Sequence, residues 1–106
     1  RPPVPLRESV PALAAEAAKL AKRPLPAFEL HLADHTGPRY AAITDECREA
    51  VRLAARTEGL ILDPVYSGKG MAGLIAAVRD GRIGGTVVFL HTGGAPALFA
   101  DEYADF

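Results

Sequence analysis

Leu60-Ile61-Leu62-Asp63-Pro64-Val65-Tyr66-Ser67-Gly68-Lys69-Gly70-Met71 and, further along, Val87-Val88-Phe89-Leu90-His91-Thr92-Gly93-Gly94-Ala95-Pro96 are the stretches whose reading decides the fold. Within Glu58 to Phe99 they read as a short buried strand, a glycine-punctuated helix, and a second buried strand running into a glycine turn. Leu60–Leu62 is too short and too apolar for a surface strand, and Pro64 ends its pairing because proline donates no ladder hydrogen bond. Val87 to His91 is a continuous β-favouring run of the fully buried kind. Each run ends in a small hydroxyl residue followed by glycine. Parallel strands of an open α/β sheet end this way, at the crevice outside their carboxyl ends where ligands bind. The expected site lies beside Tyr66, Ser67 and Thr92.

Between the two runs, Ser67 is expected to cap a helix whose inward face is Met71, Leu74, Ile75 and Val78, with Gly81 as its stop. Gly70 and Gly73 weaken that helix by about 1 kcal/mol each relative to alanine, so they are expected to admit a close neighbour, protein or ligand. Upstream, Thr44-Asp45-Glu46 is an N-cap with acidic first-turn residues, and Cys47, Ala50, Val51 and Ala54 follow at helical spacing. The spacing predicts a helix over 44–58 closed by Gly59, with Cys47 packed inward and inert. Phe28, Leu30 and Leu32 alternate with Glu29 and His31, which predicts a short strand with His31 on its wet face.

The N-terminal region divides in two. Prolines 2, 3 and 5 mark residues 1–7 as a proline-rich lead-in, and 8–106 is expected to be one α/β unit. From Ser9, with Pro11 in the first turn, Val10, Leu13, Ala14, Ala17, Leu20 and Ala21 form one apolar helical face, stopped by Pro24 and Pro26. Tyr103 and Phe106 fall in a frayed or docking tail. The chain begins Arg1-Pro2-Pro3 without methionine, which leads us to expect a piece of a longer protein.

Composition excludes several function classes. The 106 residues bound the chain to one modest core, and 12 Lys plus Arg against 13 Asp plus Glu give no basic face for nucleic acid. No apolar run approaches a bilayer span, and there is no signal peptide, so a soluble, cytoplasmic chain is expected. The single cysteine and three scattered histidines offer no metal-ligand spacing.

Two local motifs have bland readings beside the functional ones. Gly68-Lys69-Gly70 lacks the upstream glycine and the following Ser or Thr of a phosphate-binding loop, and Lys69 reads as a solvated residue of a first helical turn. Thr92-Gly93-Gly94 after a buried strand lets backbone N–H groups approach a ligand, with the hydroxyl addressing it directly, although glycine turns follow strands everywhere. Tyr66 projects into the same crevice or packs in a core, and Tyr40 reads as a loop aromatic.

Taken together, Gly37-Pro38-Arg39-Tyr40, residues 50–59, residues 62–74 and residues 89–99 resemble the carboxyl-terminal third of the fold-type II pyridoxal-phosphate enzymes of the D-cysteine desulfhydrase and 1-aminocyclopropane-1-carboxylate (ACC) deaminase family. Order and spacing fit across nearly the whole chain, least before Leu25. The resemblance implies a twisted parallel sheet flanked by helices, of the tryptophan synthase β-like kind, of which this chain is the C-terminal segment. It implies that Tyr40 and Tyr66 stand over the cofactor near the substrate α-carbon, and that Thr92 faces the pyridine nitrogen, with Ser67 and Gly93 beside it. ACC deaminases of the family carry a glutamate after the tyrosine and a leucine in place of the threonine. Ser67 and Thr92 therefore point to α,β-elimination from D-cysteine, with ACC deamination as the alternative.

The resemblance also carries expectations about what accompanies the chain. The family's Schiff-base lysine and phosphate-cradling loop lie upstream of the matched residues, so this chain alone is expected to be inactive. The N-terminal portion or a second chain would complete it, a small amino acid would be its substrate, and a homo-oligomer its assembly. A reading from another class is a non-catalytic α/β module kept for binding or assembly.

Overall fold

The computed structural model of the chain describes residues 5–103. They fall into two compact units, divided between Leu32 and Ala33.

In the first unit a helix, α1, spans Leu6–Leu20. It starts earlier than Ser9, so Leu6 and Arg7 are helical; residues 1–4 of the lead-in lie outside the described ones. Pro5 takes the cap position at φ −57, and the Ser9 hydroxyl, rather than capping forward, bonds back to the Pro5 carbonyl at 3.4 Å. Pro11 therefore sits inside the helix and not in its first turn. Lys22, at φ 52, turns the chain away before Pro24 is reached. The expected apolar face buries nothing within the helix, and Leu13 and Leu20 are 63% and 85% exposed. No strand forms over 28–32, where His31 is exposed and lies 3.3 Å from Glu29.

The second unit is built on two helices. α2 spans Asp45–Glu58 and closes at both ends as local chemistry dictates: the Cys47 N–H donates to Thr44 Oγ1 at 3.2 Å, and Gly59 sits at φ 66. α3 spans Ser67–Arg79 and packs on α2. Cys47, Val51, Ala54 and Leu62 form the core, with Ile43, Met71 and Phe89 against it. Burial pushes the Cys47 thiol above its ordinary pKa and its Sγ donates to the Pro64 carbonyl, so this cysteine is inert packing.

The packed face of α3 is only partly the expected one: Met71 packs on the core and Leu74 and Ile75 are half-buried, but the most buried positions lie elsewhere. Gly68, Lys69, Ala72 and Ala77 are buried, whereas Val78 is 49% exposed. Small residues win that face because α2 comes too close for large ones. A β-carbon on Gly68 would stand 2.6 Å from Val51 and 3.0 Å from the Cys47 sulfur.

Among the described residues no β-ladder forms; Leu60–Leu62 and Val87–His91 run without one. Two contacts nevertheless set these runs side by side. His91 Nε2 lies 2.8 Å from the Ile61 carbonyl, and a β-carbon on Gly94 would stand 2.5 Å from the Asp63 carboxylate. Only glycine, here at φ 104, permits that approach. The tail ends in 3₁₀ turns over Ala95–Phe99 and Asp101–Tyr103. Tyr103 is buried and docked, while Phe106 lies outside the described residues.

Candidate functional site

The site grows from the turn that leads into α3. Leu62 and Asp63 are fully buried, and the Asp63 carboxylate accepts the N–H groups of Val65, Tyr66 and Ser67, each at 2.8 Å. The Ser67 hydroxyl donates to the same carboxylate and accepts from the Asp63 N–H at 2.8 Å. The Ser67 N–H that opens α3 is thus held by the Asp63 carboxylate, the next, that of Gly68, donates to the Asp63 carbonyl at 2.7 Å, and the capping position itself is Tyr66, not Ser67. Burial opposes ionisation of Asp63, but hydrogen bonds from Ser67, Tyr66 and Val65 outweigh it and hold the carboxyl below its ordinary range. Ser67 is buried with its hydroxyl committed to this turn. The turn leaves the Tyr66 ring projecting, 58% exposed.

Tyr40 arrives from a loop over 33–44. Asp34 Oδ1 accepts from the Thr36 N–H and hydroxyl, Gly37 turns the chain at φ 80, and the Ala42 N–H donates to the Arg39 carbonyl at 3.2 Å. The result brings the two tyrosines together: their hydroxyls are 2.8 Å apart, with ring centroids 6.5 Å apart and planes at 63°. The hydrogen bond to Tyr40, followed by the charge repulsion it implies, pushes the Tyr66 phenol above its ordinary pKa. A phenol so placed keeps its proton at neutral pH.

Two hollows meet at this pair, sharing Thr36, Val65, Tyr66 and Lys69. One, of about 350 Å³, is lined also by Arg39 and Tyr40; the other, of about 430 Å³, by His35 and Gly73. Gly73 admits a neighbour, as its sequence position leads one to expect, because a β-carbon there would stand 2.8 Å from the His35 ring. Lys69, expected in solvent, is instead 8% exposed, and its ammonium donates to the Thr36 carbonyl. Lining the Tyr40 hollow, phenols and cations occur without a carboxylate among the described residues. Such a donor set suits an aromatic group carrying negative charge.

Thr92 and Gly93 are exposed at the tip of the second run. The Gly93 N–H donates to His91 Nδ1 at 3.1 Å, which leaves the proton of that imidazole on Nε2, facing the Ile61 carbonyl. Gly94, next along, touches the carboxylate that holds the Tyr66 turn. Tyr40 and Tyr66 are therefore in direct contact, and the second run meets their turn at Gly94, two residues past Thr92, against the Asp63 carboxylate.

Two participants escaped the sequence reading. Asp63 before proline, just ahead of a capped helix, carries a recognisable turn signal. Lys69 carries none, since its burial depends on residues far away in the chain. Residues 3–93 match the family of pyridoxal-phosphate dependent enzymes, and with most of its length inside that match the chain belongs to this family.

Proposed function

We propose that the chain forms the C-terminal part of a pyridoxal-phosphate-dependent lyase that eliminates sulfide from D-cysteine or a similar β-substituted amino acid, leaving pyruvate and ammonia. The observation that carries this reading is the Tyr40–Tyr66 pair, hydroxyls 2.8 Å apart at the mouth of the hollow. Pyridoxal phosphate, when bound, supplies the electron sink for a carbanion at the substrate α-carbon. The residues here have the complementary task. Tyr66, its proton held by the bond to Tyr40, gives or takes a proton at the substrate, and Tyr40 restores it. Thr92 and Gly93 would hold the pyridine edge, and Ser67 would support the site from beneath through Asp63.

Thr92 favours elimination over the opening of a cyclopropane. A neutral hydroxyl leaves a pyridine nitrogen less protonated than a carboxylate does, which suffices for a good leaving group such as sulfide. Ser67 speaks the same way, since a serine folded onto Asp63 presents no carboxylate. For the architecture we propose that 60–62 and 87–91 are strands of a twisted parallel sheet. The His91–Ile61 and Gly94–Asp63 contacts and the exposed Val88 and Leu90 support that reading. Further strands and the cofactor-binding lysine would come from chain preceding these residues or from a second polypeptide.

Substrate comparison tests the reading. Completed by the polypeptide that carries the cofactor-binding lysine and loaded with pyridoxal phosphate, the protein is expected to release sulfide and pyruvate from D-cysteine and to leave ACC unchanged. Ammonia and 2-oxobutanoate from ACC, with no sulfide from D-cysteine, would replace it by the deaminase. Absence of both activities, with no cofactor bound, would favour a non-catalytic module.

A further inference from the structure

The loop that presents Tyr40 is fastened on both sides of the phenol. Ahead of it, the buried Lys69 ammonium donates to the Thr36 carbonyl. Behind it, the hydroxyl of the buried Tyr103 donates to the Ala41 carbonyl at 3.2 Å. Between these fastenings the backbone passes through Gly37 at φ 80 and Ala41 at φ 61, the second a conformation that a side chain disfavours. Tyr40 itself is 76% exposed, so burial of its ring does little to fix it. What keeps its hydroxyl within reach of Tyr66 is the backbone beneath it.

Packing alone does not explain either fastening. A methionine would fill the Lys69 space without desolvating an ammonium, and a buried charge is tolerated only where its bonds are needed. A phenylalanine would likewise fill the Tyr103 space. In both cases the polar atom beyond the hydrocarbon goes to a carbonyl of the same short loop.

We propose that Lys69 and Tyr103 are positioning residues that clamp the 36–41 loop and thereby hold the Tyr40 phenol against Tyr66. The inference rests on Tyr40 and Tyr66 being the working phenols of the function proposed above. It ties the C-terminal turn of the chain to the chemistry.

Tyr103→Phe deletes one oxygen and keeps the buried ring, so it tests the clamp without threatening the core; Lys69→Met is the second variant. In the protein completed by the polypeptide carrying the cofactor-binding lysine and loaded with pyridoxal phosphate, each is expected to lower kcat for sulfide release about five- to tenfold, the weight of one lost hydrogen bond, with KM moved less than about twofold. In a Tyr40→Phe background the same changes should cost less than about twofold. Independently of activity, hydrogen exchange of the Thr36 and Ala42 amides, bonded to Asp34 and to the Arg39 carbonyl, should quicken about five- to tenfold in both variants while α2 is unaffected. Unchanged exchange in that loop, or equal kcat losses in both backgrounds, would overturn the clamp. A Tyr40→Phe protein with undiminished kcat would instead remove the proposed role of the phenol, and the exchange measurement would still decide the clamp.

Discussion

A buried carboxylate at position 63 does for α3 what a serine or threonine hydroxyl does at most helix starts, and more. Four hydrogen bonds converge on it, three of them from consecutive backbone N–H groups. Because its folded-state pKa is lowered, the stability it confers is fully present above the ordinary carboxylate value of about 3.9 and is lost as pH falls through the folded value. Asp63→Asn should therefore lower stability at pH 7 by about 2–4 kcal/mol and flatten the acid limb of the stability profile, measured by urea unfolding between pH 2 and 7. A parallel downward shift of the whole profile, with the acid limb as steep as before, would mean that other carboxylates carry it. At this scale the sequence was uneven. Thr44 and Gly59 are legible as caps because capping is a rule about neighbours in the chain, and Thr44 and Gly59 obey it. Lys69 is misread as solvated because its partner, the Thr36 carbonyl, lies 33 residues away. The two phenols are paired only through family resemblance, since nothing in their spacing predicts contact.

Between elements, the contact of α2 with α3 is governed by how small a residue must be. Gly68 faces the Asp63 carbonyl and Val51 at distances that leave no room for a methyl group, 2.6 Å in both cases. Gly68→Ala should gain about 1 kcal/mol of helix propensity and lose more to overpacking, for a net destabilisation of about 1–2 kcal/mol. Gly70→Ala, where a β-carbon would meet only the Phe89 ring at 3.7 Å, should instead raise stability by about 0.5–1 kcal/mol. Denaturation midpoints of the two variants moving in the same direction would contradict this packing. The period of α3 does not reveal its packed face, because Met71, Leu74, Ile75 and Val78 compete with an equally continuous stripe of small residues. Hydrophobic periodicity names the apolar side of a helix, whereas a close neighbour selects the narrow side. For α1 the period finds a helix but not its boundaries, which Pro5 and Lys22 set through backbone conformation.

For the molecule as a whole, the apolar runs that the sequence marks as buried strands are unevenly covered: Leu62 is fully buried and Phe89 packs on the core, whereas Val88 and Leu90 are 89% and 79% exposed. Local composition leads such runs to be read as strands, but a parallel strand takes its hydrogen bonds from partners remote in the chain, which composition cannot name. The tips of the runs nonetheless converge. Asp63 links the turn of Tyr66 to Gly94, and His91 links the Thr92 tip to Ile61. Among the described residues no helix is long and apolar enough to cross a membrane. The account stands on these tips serving one cofactor, and it is tested most directly by the initial rate of sulfide release from D-cysteine by the pyridoxal-phosphate-loaded protein, completed by the polypeptide that carries the cofactor-binding lysine. Tyr66→Phe and Thr92→Leu should each reduce that rate at least about tenfold, the lower end of what a positioned acid–base group contributes. A rate unchanged by either substitution would contradict the account.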